Sequence, residues 1–459
     1  MTLKELTSRV RSGAIDTIVV AVPDVYGRLV GKRFAGDYFF KNIAKPCTHA
    51  CSYLLTVNIE MDPMDGFKLA NWDKGFGDFK MEPDFSTIRL LPWLPGTALV
   101  LCDFVHENGN AVLEAPRSVL RRQLDLLARK GFMSFFASEL EFFLFNNTFH
   151  DAFAAEYRNL TPSSDYRIDY HTMQPARDEW LFRQVRNQMA AARVPVECSK
   201  GEWGRGQHEL NFVYDQALPM ADMHVVFKQG LKEIVAQHGK CATFMAKPWE
   251  SEVGSSCHVH LSIWKNGRNA FWVGNPRVQS TRNTQHATRY SQLFRHFLGG
   301  LIRYSPELCY FFAPTVNSYK RYQSASWAPT KMAWSHDNRT VGFRVVGEAS
   351  SFRIENRMPG ADANPYLAYA AMLAAGVAGI EERLDCGKDY CGNAYVDPAL
   401  KALPKTLGEA AALLDRSKLA RRAFGDEVVD FYIHTADLEM RAFNDAVTDW
   451  ERMRYFERI

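Results

Sequence analysis

Apolar runs and turn residues divide the first hundred residues into short extended segments. Segment 14–36 contains two extended runs around a turn at 24–27, which predicts a β-hairpin. Between Pro46 and Pro95, glycine, aspartate and proline leave little helical period, so we expect loops and short strands there. The apolar run at 97–105 predicts a further strand.

A helix and a change of pattern follow that strand. A helical period begins near Pro116 and ends at Gly131, which predicts a helix between them. We place a domain boundary near residue 108, which gives an N-terminal domain of 1–108 and a larger domain of 109–459. Beyond the helix, strand-like and helix-like runs alternate, as is typical of an α+β fold with a substantial sheet. These runs cover 132–145, 178–193, 207–214, 220–238, 255–264, 341–357 and 364–384.

Composition narrows the class of protein. A length of 459 residues predicts two or more domains, and 47% hydrophobic with 23% charged residues is typical of a globular protein. The net charge of +3, without a dense run of Lys and Arg, argues against a nucleic-acid partner, although acidic small molecules remain candidates. Nine cysteines without CxxC spacing indicate reduced thiols. The polar N-terminus carries no membrane or secretory signal, so we expect a cytoplasmic protein and no membrane partner. The apolar run 367–380 is too short to cross a bilayer and predicts a buried helix.

Acidic residues recur at spacings that suit a metal site. In a strand, Glu139 and Glu141 would project from one face, where they repel each other unless a cation intervenes. Glu197, Glu202 and Glu209 follow in two extended runs joined by a glycine-broken loop. Carboxylate oxygens favour Mg²⁺ or Mn²⁺ over thiol-preferring metals. Taken alone, each group also fits a solvated strand face.

Histidines share one face of another predicted strand. The segment SSCHVHLSIW places His258, His260 and Ser262 together, with apolar residues behind them. One histidine could bind a metal, and the alternative is a pair of surface or internally hydrogen-bonded histidines.

Arginines surround a carboxylate near residue 355. Arg353, Glu355 and Arg357 would share a strand face, and Arg339 and Arg344 precede them. Such a cluster suits phosphate and carboxylate groups, which guanidinium binds through paired hydrogen bonds. A surface charge ladder is the alternative, which the buried opposite face of this strand disfavours.

Read in order, six motifs resemble the signature series of class I glutamine synthetases. They are ELEFFLF, E-x6-E within EWGRGQHE, GSSCHVHLS, NSYKR, DNRT-x3-R and RIENRMPGADANPYLA. The resemblance extends to the N-terminal YGRLVGKR and to the GD-x4-PD segment. It implies an α+β fold with an N-terminal β-grasp domain and a catalytic domain whose curved antiparallel sheet forms a funnel. It also implies rings of six subunits, stacked as a dodecamer, with active sites between subunits.

The resemblance implies roles residue by residue. Two to three Mg²⁺ or Mn²⁺ ions would be held by Glu141, Glu202 and Glu209 at one site and by Glu139, His258 and Glu355 at the other. ATP, the co-substrate, would meet Glu197, Tyr214, His260, Ser262, Arg344 and Arg353, with Arg339, Arg344 and Arg353 around the transferred phosphoryl group. Glutamate would be bound by Arg321, Arg357 and Gly254, and Asp78 would act at the site of a neighbouring subunit. The reaction would convert the γ-carboxylate of glutamate to γ-glutamyl phosphate, which an amine then attacks.

Departures from the family pattern concern the nitrogen substrate. The family carries a glutamate six residues after the arginine of NSYKR, and here that position is Trp327. The family's ammonium-binding motif of Asp-Gly-Ser-Ser type is replaced by THACSY, and the glutamate-side asparagine by Val253. Trp cannot accept a proton but offers an apolar face. The chain is therefore similar to the γ-glutamylamide synthetase branch, of γ-glutamylpolyamine or ethanolamide type, and we expect a small organic amine as the acceptor.

Two other functions remain open at this point. A true glutamine synthetase would use ammonium with a different base, and Trp327 would then be a packing residue of a lid. A catalytically silent structural or regulatory member is the other alternative, although all six metal-ligand positions are filled in this sequence.

Overall fold

The computed structural model describes residues 1–173, 175–273 and 290–459. Its strands are β1 (Thr17–Pro23), β2 (Leu29–Ala35), β3 (Thr48–Cys51), β4 (Asp78–Pro83), β5 (Arg89–Leu90), β6 (Thr97–Val105), β7 (Met133–Phe145), β8 (Val196–Gly201), β9 (Gln207–Phe212), β10 (Asp215–Gln216), β11 (Cys241–Thr243), β12 (Cys257–Lys265), β13 (Arg268–Asn269), β14 (Trp334–His336), β15 (Phe343–Val346) and β16 (Arg353–Asn356). Its helices are α1 (Leu3–Arg11), α2 (Gly36–Asn42), α3 (Pro116–Arg129), α4 (Phe149–Ala154), α5 (Glu179–Ala191), α6 (Ala217–Gln237), α7 (Gln292–Tyr304), α8 (Pro365–Glu381), α9 (Leu407–Asp415), α10 (Lys418–Phe424), α11 (Asp426–Asp445) and α12 (Asp449–Tyr455).

The N-terminal part forms a small sheet in the order β2-β1-β6-β4-β3, with β5 beside β6. Strands β1 and β2 form the predicted antiparallel hairpin, and β1 pairs with β6 in parallel. Residue 108, where we expected a domain boundary, lies in the link between β6 and α3.

The larger sheet follows the order β14-β15-β16-β12-β7-β9-β8, with β10 and β11 beside β7 and β13 beside β12. Its pairs are antiparallel except for β14 with β15. The small N-terminal sheet and the large, mostly antiparallel sheet confirm the predicted α+β class. Long strand β7 lies near the middle, which places both of its neighbours in reach of its side chains.

Helices cover the large sheet and complete the core. Helix α8 is buried on almost every side, as its uninterrupted apolar sequence predicts, and it packs against α3, α6 and α7. Helices α7 and α8 approach closely at Gly300, where a Cβ atom would lie 2.1 Å from the carbonyl oxygen of Ala375. Among the described helices, none combines the length and apolar character that crossing a membrane requires.

A buried arginine on α3 joins the N-terminal sheet to helix α6. The guanidinium of Arg117, on α3, donates to both carboxylate oxygens of Asp222 on α6, at 3.0 and 2.7 Å. It also donates to Asp103 of β6 at 2.6 Å and to Asp84 at 3.1 Å. Arg117 and Asp222 are each 2% exposed, so neither charge can recover hydration if the other is removed.

We expect Arg117→Met to lower the free energy of unfolding by about 3–5 kcal/mol, because it leaves the buried Asp222 carboxylate unpaired. Urea denaturation measures this loss. Arg121→Met is the matched control, since Arg121 lies on the same helix, pairs with Asp84 and Asp103, and has a side chain 41% exposed. The control is expected to cost no more than about 1 kcal/mol. Equal losses in the two variants would contradict the expectation.

Candidate active site

Strand β7 forms the centre of the candidate site. Glu139 and Glu141 project from the same face of this strand, as their spacing predicts. On β9, Asn211 lies directly opposite Glu139, and Glu209 lies opposite Glu141. On β12, His258 lies opposite Glu139. Directly opposite residues of antiparallel strands share a face, so three strands bring these side chains into one patch.

Strand β8 adds a cation to this patch. Lys200 lies opposite Glu209, and its Nζ is 3.8 Å from a carboxylate oxygen of Glu209 and 3.5 Å from Asp169 Oδ1. It also forms an ion pair with Glu202, which follows β8. Although burial acts to lower it, Glu209 and Glu202 raise the pKa of Lys200. The ammonium therefore compensates several carboxylates at once.

His260 contacts Glu139 of the patch on one side and Arg353 on the other. Its Nδ1 accepts a hydrogen bond from Nε of Arg353 at 3.0 Å, and its Nε2 lies 2.8 Å from Glu139 Oε1. Since Nδ1 is an acceptor, the Nε2 proton donates to Glu139. Burial would raise the pKa of Glu139, but His260 and His258 outweigh it and hold that pKa well below its usual range.

The carboxylate of Glu355 is paired with two guanidinium groups and lies near two histidines. It lies opposite His260 on one side and Arg344 on the other. It accepts a hydrogen bond from Arg344 Nη1 at 2.7 Å, forms an ion pair with Arg357, and lies 3.8 Å from His258 Nδ1. Burial opposes the effect, but Arg357 and His258 lower the pKa of Glu355 to about 2. This carboxylate is therefore charged at neutral pH.

Burial raises the pKa values of two other carboxylates of the patch. Burial, and then the charge of Glu202, raise the pKa of Glu141 to about 8. Burial also raises the pKa of Glu209 well above its usual value. The pKa of His258 is lowered to about 4 by burial, so its ring is neutral and can offer a nitrogen lone pair.

The donor set fits divalent cations. Two groups of side chains place one donor atom each within 4.8 Å of one another: Glu141, Glu202 and Glu209, and Glu139, Glu209 and His258. His258 Nε2 is buried and has no hydrogen-bond partner among the described residues. Carboxylates with one imidazole suit Mg²⁺ or Mn²⁺. The first group is one of the two predicted ligand sets. The second group contains Glu209 in place of the predicted Glu355, whose carboxylate is paired with Arg344 and Arg357.

Two cavities meet at this patch. The first, of about 220 Å³, is lined by five of the six residues predicted to contact the nucleotide, and the sixth, Arg344, lines the second cavity. The five are Glu197, Tyr214, His260, Ser262 and Arg353. The second, of about 320 Å³, is lined by Glu139, Glu141, Glu202 and Glu209, but not by Glu355. Arg339, Arg344, Arg357, Gly254 and Trp327 also line it. Glu139 and Asn211 line both cavities, so a group bound in one would face a group bound in the other.

The predicted glutamate residues divide into two sets. Arg357 and Gly254 line the second cavity. A side chain at residue 254 would lie 2.6 Å from both the Ala246 carbonyl oxygen and Cγ of Arg321, so only glycine fits. Arg321 itself does not line either cavity, because its guanidinium donates to the carbonyl oxygens of Met358 and Arg357 and to Ser256. In this structure Arg321 supports the wall behind Gly254.

Trp327 lies in a strained loop at the mouth of the second cavity. Its φ of 65° is in the left-handed region, which is costly for a bulky residue. Its carbonyl oxygen accepts a hydrogen bond from Nη2 of Arg357 at 3.3 Å, and its indole is 49% exposed. The Trp203 ring lies 6.0 Å away, centroid to centroid, in an edge-to-face arrangement.

Asp78 lies apart from these cavities within one chain. It begins β4 and, with His49 and Cys51, lines a separate cavity of about 430 Å³ in the N-terminal part.

Sequence reasoning missed several residues of the site. Gln207 and Asn211 are in phase with Glu209 on β9, so strand alternation could have identified them. Gln207 donates to Glu141 at 3.1 Å. Lys200, Asp169 and Trp203 come from the end of β8 and two loops, and carried no periodic signal.

Comparison with known proteins agrees with this geometry. Residues 113–455 match the family described as glutamine synthetase, catalytic domain. The gamma-glutamylethanolamide synthetase GlnA4 of Streptomyces coelicolor is 48% identical over 458 residues, which cover 100% of this chain and 96% of that protein. The glutamate–isopropylamine ligase of a Pseudomonas species is 36% identical, covering 97% of this chain and 96% of that protein. A solved structure of GmaS in complex with ADP has a TM-score of 0.83 at 27% identity, covering 98% of this chain and 99% of that one. The motifs, the clustered carboxylates and the match over most of its length together place this chain in the glutamine synthetase family.

Proposed function

We propose that this protein is an ATP-dependent glutamate–amine ligase whose nitrogen substrate is a small organic amine. The observation that carries the proposal is Trp327, an indole at the mouth of the second cavity where the family pattern has a carboxylate. The relatives named above support it, since one is a synthetase of an ethanolamide and another a ligase for isopropylamine.

The reaction needs two steps because a carboxylate has no usable leaving group. An oxygen of the glutamate γ-carboxylate first attacks the γ-phosphorus of ATP, the bond to the bridging oxygen breaks, and ADP leaves. The amine nitrogen then attacks the γ-carbonyl carbon of γ-glutamyl phosphate. The bond from carbon to the phosphate oxygen breaks, phosphate leaves, and the nitrogen loses a proton to form the amide.

The residues around Glu139 suit the first step. ATP would occupy the first cavity, with His260 and Arg353 beside its phosphates, and glutamate the second, near Gly254 and Arg357. Arg339 and Arg344, which line the second cavity, would neutralise charge on the phosphoryl group as it moves. Two to three Mg²⁺ or Mn²⁺ ions held by the six predicted ligands would supply charge neutralisation of the phosphate oxygens.

The family likeness suggests how the remaining parts act. We extend the proposal to a ring-shaped assembly, a dodecamer of two hexamers, in which Asp78 reaches the site of a neighbouring subunit. The N-terminal domain of 1–108 would then complete the site that the domain of 109–459 builds.

Phosphate release should require glutamate, ATP, Mg²⁺ and an amine together. In a panel of ammonium and small primary amines, we expect kcat/KM to be highest for an organic amine, because the indole offers apolar contact that ammonium cannot use. A panel in which ammonium gives the highest kcat/KM would mean that the protein is a glutamine synthetase. No release with any amine would favour a silent member of the family.

Trp327→Glu should shift the preference towards ammonium. We expect kcat/KM for the best organic amine to fall by about tenfold, because an apolar contact is replaced by a hydrated charge, while that for ammonium rises. Trp180→Glu is the control, since Trp180 is an exposed indole on α5 outside both cavities. If the two variants keep the same ratio of amine to ammonium activity, Trp327 does not select the substrate.

Lys200→Met should tighten metal binding. The Lys200 ammonium and a divalent cation would satisfy the same oxygens of Glu202 and Glu209, so we expect the Kd for Mn²⁺ to fall by about tenfold in calorimetric titration of the metal alone. Without metal, the variant should have a lower Tm than the wild-type protein, and adding Mn²⁺ should raise the Tm of the variant by more. Lys130→Met is the control, because Lys130 pairs with Glu381 at 2.6 Å outside both cavities. Unchanged Mn²⁺ affinity in the Lys200 variant would contradict the expectation.

A further inference from the structure

The mouth of the second cavity contains an acidic group that the proposed mechanism does not use. Asp169 lines this cavity together with Trp203 and Trp327. Its Oδ1 atom is buried and has no hydrogen-bond partner among the described residues, and the Lys200 ammonium is 3.5 Å away. The Asp169 side chain as a whole is 31% exposed, so its carboxylate can also accept a hydrogen bond from an N–H group of a ligand in the cavity.

Asp169 is held in place by its neighbours in the chain. Ile168 is fully buried, and its carbonyl oxygen is so close to Gly201 at the end of β8 that a Cβ atom there would lie 2.5 Å from it. The same carbonyl accepts a hydrogen bond from the His171 amide at 2.9 Å. These contacts fix the turn that presents Asp169 to the cavity.

Two indoles line the same cavity as this carboxylate. Trp203 is 36% exposed and Trp327 is 49% exposed, although both line a cavity and pack edge to face. Exposed aromatic faces beside a carboxylate suit a cation with an apolar body, because the π face attracts the positive charge and the ring contacts the carbons. The third aromatic side chain of this wall, Tyr170, already has the Lys200 ammonium 4.5 Å from its ring centroid.

Guanidinium groups at this cavity disfavour a second positive charge on a bound amine. The guanidinium of Arg167 lies 4.8 Å from the centroid of the Trp203 ring. Arg339, Arg344 and Arg357 line the same cavity. A second ammonium on the ligand would meet these cations, and like charges brought together lower affinity.

We propose that Asp169 binds the ammonium group of the amine substrate and that Trp203 and Trp327 contact its carbon body, so that the protein selects primary monoamines with a short apolar or hydroxylated body over diamines. The proposal rests on the proposed ligase function. It makes Asp169 and Trp203 residues that determine the nitrogen substrate and leaves the activation of glutamate to the other residues of the site.

Separate measurements of the two half-reactions test this assignment. Asp169→Asn is expected to raise KM for the best monoamine by at least about tenfold, because a charge-assisted hydrogen bond becomes a neutral one. Trp203→Leu is expected to raise it by about fivefold. In both variants KM for glutamate should stay within about twofold, and isotope exchange between the bridging and non-bridging oxygens of ATP, which reports γ-glutamyl phosphate formation without amine, should keep its rate.

Matched variants control for unspecific effects. Asp165→Asn changes a carboxylate on the same loop whose side chain is 74% exposed and lines neither cavity, and it should leave every parameter unchanged. Thermal unfolding checks that each variant is folded, and Trp203→Leu, at an exposed position, provides a second test if Asp169→Asn does not fold.

The outcomes separate this proposal from the proposed function. If the wild-type protein shows neither glutamate-dependent isotope exchange nor amine-dependent phosphate release, the ligase function fails. If the wild-type protein is active but Asp169→Asn and Trp203→Leu keep its KM for the amine, the ligase function stands and the amine pocket is refuted.

Arg167→Gln tests the preference for monoamines. The ratio of kcat/KM for 1,4-diaminobutane to that for n-butylamine should rise about threefold or more when this guanidinium is removed. An unchanged ratio would refute the charge-based exclusion of diamines.

Discussion

The mutual repulsion of carboxylates on one buried sheet face is the constraint on which the site depends. Glu139, Glu141 and Glu209 share that face, and Glu202 joins them from the end of β8. Like charges removed from water are costly unless cations or hydrogen-bond donors compensate them. The protein supplies lysine, histidine and arginine around the cluster, and the donor atoms that remain suit divalent cations.

Strand register also places Glu139 and Asn211 at the boundary between the two cavities. Because Glu139 lines both cavities, the compensated carboxylates stand between the space that suits a nucleotide and the space that suits an acid and an amine. A phosphoryl group crossing from one cavity to the other would pass the clustered charges that bind it most strongly. Glu355 pairs with Arg344 and Arg357 and so holds these two arginines, which line the second cavity.

The proposed amine-binding part of the site is built from loops, not from the sheet. Its indoles and Asp169 come from loops, and Trp327 is held in a left-handed backbone conformation that the Arg357 hydrogen bond to its carbonyl helps to maintain. Loops can change without altering the sheet that holds the clustered carboxylates and histidines. This division explains how a family with one activation chemistry can serve different nitrogen nucleophiles.

The sequence by itself determined the fold class, the hairpin, the buried helix α8 and the family, because periodic apolar positions and ordered motifs depend on local spacing. It also paired Glu139 with Glu141 and His258 with His260, since alternation along one strand follows from backbone geometry. Only the tertiary structure decided that Glu209 lies between both groups of donors, that arginines engage Glu355, and that Arg321 supports the wall behind Gly254. It also decided that Lys200, Asp169 and Trp203 belong to the site. These relations join residues distant in the chain or on loops, and their positions depend on strand register and packing, which no local pattern encodes.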